Sequence, residues 1–252
     1  MERNRIIDNH VIITHCNLEG FDVDDIYEGN PSWMEYRLNM FEKYTLTSLM
    51  NQTDPGFHLL MFCHTNTPPP FKQQLLDLEE KYKFLKLMWD QTHFTGHGGE
   101  IPSFYNSIKN AYIEVRNNDS DDIICSRMGT DDMVEVRFNE IIKSLTQQVN
   151  TISIAGGLYW DVITDEFLHS MFPTGPFVSV KSTLTDFKGD MREISHHHLI
   201  NQTQGSFIMN EDPLWIQLCS GTNVWNALDK MPGEKIEHPG GEFLEINFGF
   251  KK

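Results

Sequence analysis

Short apolar, β-rich runs alternate with longer stretches of helical periodicity up to Thr151, and that order limits the fold more narrowly than anything else in the chain. It is the pattern of an α/β fold with a mostly parallel central sheet flanked by helices. The first strand is expected at His10–Cys16. Ser32 then suits the N-cap of a helix from Trp33 to about Met50, whose Met34, Leu38, Phe41, Thr45 and Leu49 form one stripe. Phe57–Cys63 reads as the second strand, and the Pro68–Pro70 run starts a helix through about Tyr82. Phe84–Trp89 is a third strand, a helix is expected from Pro102 to Val115, and Asp122–Ser126 is a short buried strand. The turn after it leads into a helix expected from Met133 to about Gln148. From Thr151 the pattern changes to short strands, Thr151–Ile154 and Leu158–Ile163, among loops rich in Gly, Pro, His and Asn. One domain over 1–252 is expected, with a nucleotide-binding half at about 1–135 and a partner-binding half at about 136–252.

Charge narrows the partners. The formal net charge of −16 leaves no basic face, so a general nucleic-acid binder is excluded. A small anionic ligand stays compatible where a metal or a few Arg and Lys residues neutralise it. The N-terminus reaches charge at once and no apolar run approaches the ~18 residues of a membrane span, so no span and a cytoplasmic location are expected. Cys16, Cys63, Cys125 and Cys219 stand far apart, which argues against a zinc knuckle or a disulfide framework and for a reducing compartment.

In an open α/β sheet ligands sit beyond the C-terminal strand ends. The residues there are Thr14, His15 and Asn17, then His64, Asp90, Arg127, Asp131 and Asp132. Adjacent carboxylates after an apolar strand suit a divalent cation that bridges nucleotide phosphates, with Asp131 first; the alternative is that they cap the helix at Met133. Arg127 can pair with those carboxylates or hold a pyrophosphate. Three consecutive histidines, His196–His198, cannot all face one ion in regular structure. Glu211 and Asp212 precede the apolar Pro213–Cys219 run and suit a general base, or else cap a short helix at Pro213. Trp160, Trp215 and Trp225, with Tyr159, offer faces for sugar stacking or pack in the core.

These residues resemble a known set, the bacterial and viral rhamnosyltransferases among the GT-A-like glycosyltransferases. Trp33–Arg37, Phe41–Ser48 and Gln52-Thr53 resemble the family's W-x-x-x-R, L-F-x-x-x-x-x-P-S and Q-T block. Ser126–Asp132 resembles its T-R-L-D-x-D-D signature. Pro176–Ser179 and Trp215–Asn223 are similar to its P-F-x-S and W-L-Q-x-x-H-G-x-N segments. The resemblance implies a GT-A-like fold and transfer of a sugar, rhamnose by the family label, from a nucleotide-sugar donor to a glycan acceptor hydroxyl. The D-x-D type turn would bind manganese or magnesium, with Asp131, Asp132 and Cys219 as the metal set. Thr14, His15, Arg37, Arg127 and Thr130 would line the donor. This chain departs from the family in having Gly129 for the first aspartate, Cys219 for a histidine and His15-Cys16 for an Arg-Phe pair.

The mechanism this implies is a single inverting displacement. The metal and Arg127 offset the charge of the leaving nucleoside diphosphate, and Asp212, or else Glu211 or Asp161, deprotonates the acceptor. The rival readings are a glycosyltransferase-like protein that binds a glycan or nucleotide without turnover, and a metal hydrolase built on His196–His198.

Overall fold

The computed structural model describes residues 9–17, 31–90, 102–115, 121–171, 177–187, 206–209, 213–220 and 228–251. His10–His15 (β1), Phe57–His64 (β2), Leu85–Asp90 (β3) and Asp122–Arg127 (β4) are the strands expected from the apolar runs. They pair in parallel in the order β3-β2-β1-β4, with Ile13 opposite both Leu60 and Arg127. Their near-continuous apolar character follows from cover on both faces. Ile12, Leu59 and Met61 pack on one side with Met34, Leu38, Phe41 and Leu49. Val11, Ile13, Leu60 and Phe62 pack on the other with Ile108, Ala111 and Tyr112.

Val178–Thr183 (β9) lies antiparallel between β4 and Thr151–Ile154 (β6), and Ser206–Met209 (β10) adds in parallel to β6. The seven-stranded sheet therefore has one reversed strand and is otherwise parallel, as expected. A second sheet of five strands follows the order β12-β8-β7-β11-β5. Its members are Asp132–Val134 (β5), Gly156–Asp161 (β7), Glu166–Met171 (β8), Trp215–Cys219 (β11) and Glu234–Ile236 (β12).

The expected helix at Trp33–Met50 is present with a widened middle. Pro31–Met40 (α1) runs through a π-helical segment, Phe41–Leu46, into Thr47–Met50 (α2). Pro69–Lys81 (α3) starts on proline, whose missing N–H costs nothing in a first turn, and Pro102–Val115 (α4) matches its expected bounds. Phe138–Leu145 (α5) and Gly241–Phe248 (α6) complete the set used below.

Two expectations are corrected. No helix begins at Met133: residues 132–134 are β5, paired with Trp215, Ile216 and Gln217, and α5 starts only at Phe138. No helix begins at Pro213 either, because β11 follows from Trp215. In both places pairing across the chain supersedes local preference. The four cysteines are free and buried, and among the described residues no helix is long and apolar enough to cross a membrane.

Candidate functional site

β4 delivers the chain to the open end of the main sheet. Arg127 is its last residue, and Met128 N–H extends the ladder by donating to Ile13 O at 3.1 Å. The chain then turns through Gly129, Thr130 and Asp131 into β5, with Thr130, Asp131 and Asp132 all buried. Asp132 closes this turn itself: its Oδ2 accepts the Gly129 N–H at 3.0 Å. The two aspartates therefore cap no helix.

Helix α1 supplies the counter-charge. Arg37 Nη1 lies 2.6 Å from Asp131 Oδ2, with the side chains 21% and 8% exposed, and the guanidinium sits 5.4 Å over the Trp33 ring. A pair this sheltered is held more firmly than a surface pair. The π-helical segment adds a second grip, Thr45 Oγ1 donating to Asp132 O at 2.8 Å. Tyr36 OH reaches Ser220 O at 3.3 Å on the far side, just beyond β11.

The second sheet brings further groups to the same place. Gln217 stands opposite both Asp132 and Tyr159, and Cys219 stands opposite Asp161. Burial, and then the neighbouring Asp131 charge, push the Asp132 carboxyl up to about 8, against the Gly129 N–H, Arg37 and Arg127. Burial pushes the Cys219 thiol up to about 12, and Asp161, Asp132 and Asp131 add to it. Burial also holds the His15 imidazole down at about 3, helped by the Arg127 charge. The Arg127 guanidinium is itself lowered by burial and raised by Asp132.

The structure thus brings together Arg37, Arg127, Thr130, Asp131, Asp132 and Cys219, with Thr14 and His15 ending the adjacent strand. Asp161 is near but engaged: its Oδ1 accepts the N–H groups of Ile163 and Thr164 at 2.8 and 3.0 Å, shaping the turn into β8. Glu211, Asp212, His196–His198 and Trp225 lie outside the described residues. Tyr159, Trp160 and Trp215 are at most 3% exposed and pack in the core, so they offer no face for sugar stacking. Trp215 stacks on Phe177 at 5.4 Å and donates to Ile154 O at 3.0 Å.

The other strand ends also converge. His64 N–H donates to Asn17 Oδ1 at 3.0 Å, Asn17 Nδ2 to Thr67 Oγ1 at 2.9 Å, and Ser107 Oγ to Asp90 Oδ2 at 2.8 Å. Thr14 Oγ1 is buried with no hydrogen-bond partner among the described residues. Thr45 and Tyr36, which also reach this place, do not stand out in the sequence. A hydroxyl inside an apolar stripe was the available signal for Thr45.

For a divalent cation the donor set fits in part. Among the described residues no three His, Cys, Asp or Glu side chains are grouped to hold an ion. Asp132 Oδ1, however, is buried without a hydrogen-bond partner among the described residues, and Asp131 lies beside it. Carboxylate oxygens suit manganese or magnesium, whereas a protonated thiol such as Cys219 does not.

The profile of the family described as "Putative rhamnosyl transferase" matches residues 23–231. No curated protein matches. Among solved structures, S. aureus TarS 1-349 is similar at 9% identity and a TM-score of 0.45, over 83% of this chain and 60% of that one. The same protein in complex with UDP-GlcNAc gives 9% identity and 0.46, over 84% and 58%. In complex with UDP it gives 11% and 0.46, over 84% and 60%. The chain spans about 60% of the length of these structures.

Proposed function

From the premise that this chain belongs to the family described as "Putative rhamnosyl transferase", we propose that it moves a sugar from a nucleotide-sugar donor to an acceptor glycan hydroxyl on a GT-A-like scaffold. The observation that carries this reading is the Gly129–Asp132 turn at the end of β4, its Thr130, Asp131 and Asp132 buried, with Arg37 on Asp131 and Arg127 beside it. Carboxylates and guanidinium groups concentrated at the C-terminal edge of a parallel sheet suit a diphosphate ligand.

Asp131 and Asp132 would hold a divalent cation of the manganese or magnesium type, which when bound neutralises diphosphate charge. Arg127 and Arg37 orient the donor and offset charge on its leaving diphosphate. Thr14, His15 and Thr130 line the donor, with His15 neutral. Cys219 lines the site beside the carboxylates. Asp212, or else Glu211, deprotonates the acceptor in one inverting displacement. Asp161 is the weaker choice of base because Oδ1 already holds two turn amides.

The test is a donor-hydrolysis and thermal-shift screen over nucleotide sugars, including rhamnose donors and UDP-GlcNAc, with and without manganese. One donor should be hydrolysed slowly and should stabilise the protein by about 2.7 kcal/mol at 100 times its dissociation constant. Asp131→Asn should lower that turnover ~100-fold or more while the protein still folds. Full activity in that variant would remove the acidic turn from the mechanism. Nucleotide binding without turnover, whatever the acceptor, would favour the non-catalytic reading suggested by Gly129 and Cys219.

A further inference from the structure

The helix from Pro31 to Met50 does more than cover the sheet. From its π-helical segment onward, it and the turn after it follow the backbone of residues 132–136 step by step. Thr45 Oγ1 donates to Asp132 O at 2.8 Å, Val134 N–H to Ser48 Oγ at 3.3 Å, and Gln52 Nε2 to Glu135 O at 2.8 Å. Thr53 N–H then donates to Val136 O at 2.7 Å. About two turns before this series, Arg37 holds the Asp131 carboxylate. β5 thus has β11 on one side and, on the other, a row of helix side chains that do the work of a neighbouring strand.

The spacing of Arg37 and Thr45 explains the π-helical segment. Eight residues of uninterrupted α-helix overshoot two turns by about 80°, so two such side chains would face different directions. The wider i→i+5 turn at Phe41–Leu46 takes up that excess. Both residues then meet the same four-residue turn. Thr45 is fully buried, and its hydroxyl is spent on Asp132 rather than on a carbonyl of its own helix.

We infer that Thr45 is a positioning residue of the transferase site, and that the π-helical segment serves to aim Thr45 and Arg37 together at the Asp131–Asp132 pair. The inference rests on reading that pair as the donor-diphosphate site. Thr45 touches no reacting group. It fixes the backbone from which both carboxylates project, and small misplacements of such groups are costly to catalysis.

Thr45→Val keeps the size and removes the hydroxyl; Thr45→Ser keeps the hydroxyl. With the donor identified by the screen, Thr45→Val should lower kcat about tenfold and leave KM for the donor within about twofold. It should melt only a few degrees lower, and Thr45→Ser should recover most of kcat. A Thr45→Val protein with wild-type kcat and a lower melting temperature would show that the hydroxyl serves stability alone, and would overturn the inference while leaving the transferase reading in place. Equal slowing in Thr45→Ser would overturn it too. Wild-type protein that neither hydrolyses nor is stabilised by any nucleotide sugar removes the transferase reading, and the inference falls with it.

Discussion

A Cβ at Gly129 would sit 2.6 Å from Asp132 Oδ2 and 3.0 Å from Asp131 Oδ1. The first distance is closer than real side chains come and the second is tight, so a larger residue here requires the two carboxylates, Asp132 above all, to shift. Gly129→Ala should therefore move them and cut donor turnover about tenfold or more, with a loss of stability of roughly 1 kcal/mol, read from hydrolysis kinetics and melting of the same sample. Unchanged kinetics would mean that the close approach is incidental. At this scale much of the candidate site's arrangement was legible: an acidic pair and an arginine directly after a buried strand pointed to Asp131, Asp132 and Arg127 as neighbours. Arg37 and Thr45 were harder to place, because their partners lie far along the chain and only the fold brings them together. Asp161 was legible as a carboxylate but not as a turn-former, since that role depends on two backbone N–H groups whose direction periodicity does not carry.

Elements with a clear period were readable from residue types alone: β1 to β4, α3 and α4 stand within a residue or two of their expected bounds. β5 was not. Met133 and Val134 continue an amphipathic pattern that suits a helix, and only the distant Trp215 and Ile216 make them a strand. The π-helical segment was equally hidden, because one extra residue in a turn leaves the apolar stripe nearly in phase. β7 meets β11 through another close approach. A Cβ at Gly157 would lie 2.0 Å from the Trp215 ring, which is fully buried. Gly157→Ala should lower the melting temperature by about 3–10 °C, from an overpacking cost of 1–3 kcal/mol in a chain of this size. An unaltered melt would mean that Trp215 can shift without loss.

One buried polar network ties elements from both halves of the sequence together. His10 in β1 is hydrogen-bonded through Nδ1 to Asn139 of α5 and through Nε2 to Ser126 of β4 at 2.7 Å, and Ser126 Oγ meets Ser179 Oγ of β9 at 2.5 Å. Burial lowers the His10 pKa from 6.5 to about 4, with Lys143 adding to it and the Asn139 hydrogen bond and Asp54 opposing. Folded His10 is therefore neutral at pH values where the unfolded residue takes up a proton. Stability from this residue is fully present above about pH 6.5 and is lost as pH falls towards about 4, by on the order of 2–3 kcal/mol. Urea unfolding at pH 7, 5.5 and 4.5 should show that decline, and His10→Gln should flatten it. An equal slope in the variant would place the acid sensitivity in other groups.

The reversed strand β9 has a consequence for how the chain is made. β4 has β1 on one side, but its other edge finds no partner until residues 178–183 arrive, and β6 waits for the same segment. During synthesis a nearly complete parallel core must therefore hold an open hydrogen-bonding edge while some fifty residues beyond Arg127 are added, long enough for a second nascent chain to pair there instead. Whatever the chemistry at its acidic turn, the protein's yield in a cell should depend on how quickly that single inserted strand reaches its slot.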